Sequence, residues 1–177
     1  MPNRIPADRI QLAELAPRGY AALFRLSSTI QLDQEIRELI DIRASQINGC
    51  AFCLDMHWKD ARASGQAEER LYMLNTWRES SLYSERERAA LELCEAMTLI
   101  AKEQVPDRVW ERASSAFDEY ELSQLVFAIT TINAWNRLNI ATLLQPGHYE
   151  PGMFDQKATA RADGNAASVE VGGAASS

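Results

Sequence analysis

Residues 122–144 contain neither glycine nor proline, and large apolar side chains recur on most sides of the helix they would form: Leu125, Val126, Phe127, Ile129, Ile132, Trp135, Leu138, Ile140 and Leu143. A helix that is apolar around most of its circumference has to be covered on all sides. In a domain of this size part of that cover is expected from a second copy of the chain, so the sequence predicts a homo-oligomer.

The rest of the chain agrees with a helical architecture. Strand-type alternation is nearly absent, and apolar residues recur at helical spacing. Tyr20, Leu23, Phe24 and Ile30 mark a first helix over residues 18–30, and Asp33 is placed to cap a second through Ile36, Leu39, Ile40 and Ile47. Asn48-Gly49 breaks the pattern. A third helix then carries Cys50 and Cys53 in its first turn and stops at Gly65, and a short one covers residues 67–77. Ser84 and Glu87 form a capping-box pair for a long helix to about Gln104, Pro106 suits the start of the next, and a last helix runs from Glu121 to Leu144. The expectation is an all-α domain of six to seven helices over residues 1–154. Residues 155–177, rich in Ala, Gly and Ser, are expected to be a disordered tail.

Composition narrows the function. The formal charge of −7 argues against nucleic acid as a partner, since binders of phosphate backbones present a basic face. The first residues lack the apolar core of a secretory signal, and no apolar run is long enough to cross a bilayer, so the protein is expected in the cytoplasm and away from membranes. Thiols are kept reduced there. A C-x-x-C pair in that compartment points to catalysis or metal binding rather than a structural staple.

That pair lies in Cys50-Ala51-Phe52-Cys53, with His57 four residues on. On a helix the spacings of three and four bring Cys50, Cys53 and His57 onto one face. Unsatisfied N–H groups at the helix start favour a thiolate, and His57 is placed to take the proton of Cys53. Cys53 thiolate could attack a peroxide oxygen to give a sulfenic acid, which Cys50 would resolve to a disulfide. A zinc site would want a fourth ligand, and His148 is the visible candidate, so neither metal nor bound cofactor is expected. Cys94, between Leu93 and Met97 on an apolar stripe, reads as a core residue. Tyr20, Phe24, Phe52 and Trp58 read first as core packing, with an apolar substrate pocket as the alternative. Trp135, Asn136 and Arg137 are expected to pack the last helix against a neighbour.

Glu38, twelve residues before Cys50, completes a pattern with Cys50, Cys53 and His57 that resembles the alkyl hydroperoxide reductase D (AhpD) core, a branch of the carboxymuconolactone decarboxylase family. Residues 132–138, Ile-Asn-Ala-Trp-Asn-Arg-Leu, are similar to a segment common in the last helix of such proteins. The resemblance implies an all-helical fold, trimers or hexamers, and thiol-dependent reduction of hydroperoxides with an external dithiol or thiol protein as reductant. It implies that Cys53 attacks the peroxide, that Cys50 resolves it and donates a proton, and that Glu38 and His57 relay protons. Ala51-Phe52 stands where the best-characterised branch carries a second histidine. The alternatives are a dithiol–disulfide oxidoreductase, a redox-sensing oligomer without turnover, and a decarboxylase, whose family members generally lack the cysteine pair.

Overall fold

The computed structural model describes residues 8–154, and all regular structure among them is helical. The tail expected over residues 155–177 lies outside the described residues. The helices are α1 (Leu12–Leu15), α2 (Pro17–Thr29), α3 (Gln34–Asn48), α4 (Ala51–Ala63), α5 (Glu68–Tyr72), α6 (Glu85–Thr98), α7 (Asp107–Ala116) and α8 (Glu119–Thr142), with one 3-10 turn at Leu74–Thr76. Among the described residues no helix is long and apolar enough to cross a membrane.

Local chemistry sets most boundaries. The Asp33 carboxylate accepts the Ile36 N–H at 3.2 Å and starts α3. Gly49 ends that helix with φ at 73°, a left-handed conformation that suits glycine, and turns the chain directly into α4. The expected capping box opens α6, with Ser84 and Glu87 each accepting the other's backbone N–H. A second box, formed by Asp118 and Glu121, starts α8 two residues earlier than the sequence reading placed it.

Two boundaries differ for reasons of packing. Over residues 67–77 the chain forms α5 and then the 3-10 turn, because Leu71, Leu74 and Trp77 are spaced by three and all face the core. Helix α6 stops at Thr98 rather than near Gln104: Ile100 is exposed, and a helix without an apolar face to bury has little to extend it.

Helix α3 lies at the centre. It packs on α4, α6 and α8, and it feeds two buried clusters from opposite sides. Ile36 and Ile40 join Leu93, Leu125 and Ile129 in one, while Leu39 and Ile42 join Leu71, Leu74, Trp77 and Leu91 in the other. Each of these side chains contributes about 1.5–3 kcal/mol by leaving water. Helix α8 buries Leu125, Ile129 and Ile132 inward, but Phe127 remains 50% and Ile140 39% exposed. Among the described residues, then, the side of α8 that carries Phe127 and Ile140 is left uncovered.

Candidate active site

The turn between α3 and α4 delivers the cysteine pair. Cys50 is the N-cap of α4, one position earlier than the first turn predicted for it, and its Sγ accepts the Cys53 N–H at 3.3 Å. The two cysteines are joined by a disulfide, with 5.3 Å between their Cα atoms. Each is only 1% exposed. Their surroundings nevertheless differ. Cys53 lines an apolar hollow of about 140 Å³ together with Tyr20, Phe24, Phe52, Met56, Trp135 and Phe154, whereas Cys50 lies outside its wall.

His57 lines the same hollow one turn after Cys53. Burial pushes its pKa below the ordinary imidazole value, and the nearby Asp41 carboxylate opposes that fall. Asp41 Oδ2 sits 3.8 Å from His57 Nδ1 and accepts a 2.7 Å hydrogen bond from Arg37 Nε. From α8, Asn139 directs Nδ2 to Cys53 Sγ at 3.4 Å. Asp41, Arg37 and Asn139 were not picked out by the sequence reading. Nothing in the spacing of a helical chain announces a contact between elements, and the only available hint was that Asp41 follows Glu38 by one turn.

Glu38 is buried and shares α3 with Asp41, and its charge acts on His57 less than that of Asp41 does. Its Oε1 accepts from Gln34 Nε2 at 3.0 Å, and it lines a second, polar hollow with Gln66 and Arg70. Glu38 Oε2, Gln66 Nε2 and Arg70 Nε have no hydrogen-bond partner among the described residues. The structure thus brings Cys50, Cys53 and His57 together and sets Glu38 toward another opening.

The remaining candidates sort as follows. Tyr20, Phe24 and Phe52 form the pocket wall rather than the sealed core first expected, while Trp58 is 37% exposed and meets Tyr72. Trp135 packs edge-on against Tyr20 and donates Nε1 to Ser27, and Asn136 bonds Ser45 and Asn48, so the neighbours of this segment are α2 and α3 of the same chain. Cys94 is fully buried, and burial pushes its thiol up to about 12. His148 is exposed after α8, and no group of side chains able to hold a metal occurs among the described residues.

The segment that follows α8 straps across α4. Gly147 N–H and Lys59 Nζ both donate to Asp55, Lys59 also reaches the Tyr149 carbonyl, and Tyr149 Oη donates to Asp60. This anchors Phe154, which stacks on Tyr149 with ring centres 5.5 Å apart and closes one side of the hollow.

The profile of the carboxymuconolactone decarboxylase family matches residues 17–96, a span that runs from the start of α2 into α6 and includes both cysteines and His57. The uncharacterized protein YdfG of Bacillus subtilis (strain 168) is 44% identical over 138 residues, covering 76% of this chain and 94% of YdfG. The chain belongs to the carboxymuconolactone decarboxylase family. Among solved structures, a protein of unknown function from Agrobacterium tumefaciens, named for AhpD and antioxidant defence, is 36% identical with a TM-score of 0.77, over 81% of this chain and 100% of its own. The debrominase Bmp8 is 19% identical with a TM-score of 0.66, over 74% of this chain and 70% of its own, and shares the fold. The family member described here thus combines an AhpD-like helical fold with a C-x-x-C disulfide.

Proposed function

We propose that the protein is a thiol-dependent peroxidase that reduces organic hydroperoxides. One observation carries the reading: Cys53, and not Cys50, lines the apolar hollow into which His57 also projects its chemistry. A small apolar hydroperoxide fits such a space, and a base beside the sulfur that lines it is what a thiol needs to react.

In the reduced protein Cys53 gives its proton to His57 and attacks the terminal peroxide oxygen. The O–O bond breaks, the alkoxide leaves as an alcohol with one proton, and Cys53 becomes a sulfenic acid. Cys50 thiol displaces hydroxide from that sulfur, water leaves, and the Cys50–Cys53 disulfide forms. An external dithiol returns two electrons and two protons. The resemblance assigns a proton relay to Glu38 as well, which here keeps one carboxylate oxygen unpartnered among the described residues and lines the polar hollow rather than the one that Cys53 lines. The chemistry asks for no bound cofactor, and a cytoplasmic setting supplies the reductant. The exposed Phe127 and Ile140 on α8 support assembly into a homotrimer or homohexamer.

The test is consumption of cumene hydroperoxide by the reduced protein with excess small dithiol, beside Cys53→Ser and Cys50→Ser. Turnover lost in Cys53→Ser supports the proposal. Absence of turnover in a folded wild type whose two thiols react freely would sink it and favour disulfide exchange or sensing.

A further inference from the structure

Moving a proton from Cys53 to His57 creates two charges in a hollow whose walls are largely apolar. A buried ion without a partner is strongly disfavoured, so the imidazolium needs an anion already in place. We propose that Asp41 is the positioning residue that serves this purpose: its buried carboxylate is the counter-ion of the imidazolium formed when Cys53 Sγ–H passes its proton to His57. The proposal rests on the reading of Cys53 as the reacting thiol.

Three features support it. Asp41 is 3% exposed, and its Oδ2 stands 3.8 Å from His57 Nδ1, too far for a hydrogen bond but within ion-pair distance of a protonated ring. Arg37 fixes the carboxylate through Nε at 2.7 Å, so the anion is held before the proton arrives. Asp41 Oδ1 and His57 Nε2 are both buried without partners among the described residues, so the carboxylate and the neutral ring each keep an unsatisfied polar atom.

The competing groups are known. From α3, Arg37 opposes a charge on His57 and Glu38 favours it; from α4, Asp60 favours it; all three act less strongly than Asp41. Cys53 is the titrating partner itself, Tyr20 on α2 is the titratable side chain of the facing wall, and α8 contributes the neutral Trp135 and Asn139. Glu38 is the rival that matters, because the family resemblance assigns it the relay.

The experiment begins with proton NMR titration of the two histidines in the oxidised protein, where no thiolate forms and exposed His148 serves as an internal reference. Asp41→Asn is expected to lower the His57 midpoint by roughly one to three pH units. Glu38→Gln is expected to move it less, and Asp41→Glu to restore most of it. The second readout is alkylation of Cys53 by iodoacetamide at pH 7 in a Cys50→Ser background. There Asp41→Asn should react roughly tenfold more slowly, since one pH unit of proton affinity is a factor of ten, and Asp41→Glu should recover much of the rate. An unmoved His57 midpoint in Asp41→Asn, a larger shift in Glu38→Gln, or unchanged alkylation would each overturn the proposal. Neither readout requires peroxide turnover, so a protein that consumes no peroxide would fail the peroxidase reading while leaving Asp41 to be decided by these titrations.

Discussion

Asn139 and Cys53 lie 86 residues apart in sequence, yet the amide Nδ2 of one sits 3.4 Å from the sulfur of the other. The contact exists because α8 crosses α4 beside its first turn. On the proposed function the same donor would stabilise the Cys53 thiolate of the reduced protein. Replacing Asn139 by Leu removes one hydrogen bond of about 1 kcal/mol, so Cys53 alkylation near neutral pH should slow roughly fivefold. Stopped-flow alkylation in a Cys50→Ser background measures it, and an unchanged rate would remove Asn139 from the site.

Asn136 ties α8 to the end of α3. It is fully buried, donates to Ser45 Oγ at 3.0 Å and accepts from Asn48 Nδ2 at 2.8 Å. Asn136→Ala leaves buried polar atoms of Ser45 and Asn48 short of a partner, which costs about 1–3 kcal/mol. Urea denaturation should show a lower midpoint with an unchanged slope. Asn48 directly precedes the Gly49 turn, so the loss should also loosen the approach to Cys50.

Phe154 is held over the hollow by the strap that Asp55, Lys59 and Asp60 anchor. Truncation to alanine should widen the opening and favour bulky substrates. On the proposed function, Phe154→Ala should raise kcat/KM for cumene hydroperoxide relative to tert-butyl hydroperoxide. An equal effect on both would mean that Phe154 does not shape the pocket.

His57 makes stability depend on pH. Burial holds its folded pKa below the ordinary 6.5, with Asp41 opposing part of that fall. The unfolded chain therefore binds more protons over the interval between the two values, and stability rises with pH across it. The contribution is full above 6.5 and is lost progressively as pH falls below it, levelling once the folded pKa is passed. The melting temperature of the oxidised protein should drop on acidification from neutrality, and His57→Phe should flatten that drop before carboxylates begin to titrate.

Cys94 offers a control on thiol chemistry. Burial raises its pKa to about 12, and its sulfur contacts the Ile40 carbonyl inside the core. In the reduced native protein a thiol reagent should reach Cys53 through the hollow that it lines, with Cys94 reacting only after denaturation. Early reaction of all three would show that the core around α6 opens readily.

The sequence by itself determined what is short-ranged. The helical period, the Asp33 cap, the Ser84–Glu87 box and the Asn48-Gly49 break are each written within a few residues, because helix ends are satisfied by neighbours along the chain. The pairing of Cys50 with Cys53 and the placing of His57 one turn on follow from the same local geometry. The Asp118–Glu121 box that opens α8 is of the same local kind.

Only the tertiary structure decided what crosses between elements. Asp41 meets His57 because α3 and α4 pack after a tight turn, and Asn139 meets Cys53 because α8 passes that corner. Tyr20, Phe24 and Phe52 form a pocket wall rather than sealed core, through the docking of α2 and of the strap after α8 that brings Phe154 to the same hollow. Helix α8 looked apolar all round, yet among the described residues α2, α3, α4, α6 and α7 pack against it and leave Phe127 and Ile140 exposed. Hydrophobic burial is non-directional: the sequence says which side chains must leave water, and the packing of the helices selects the partners they leave it with.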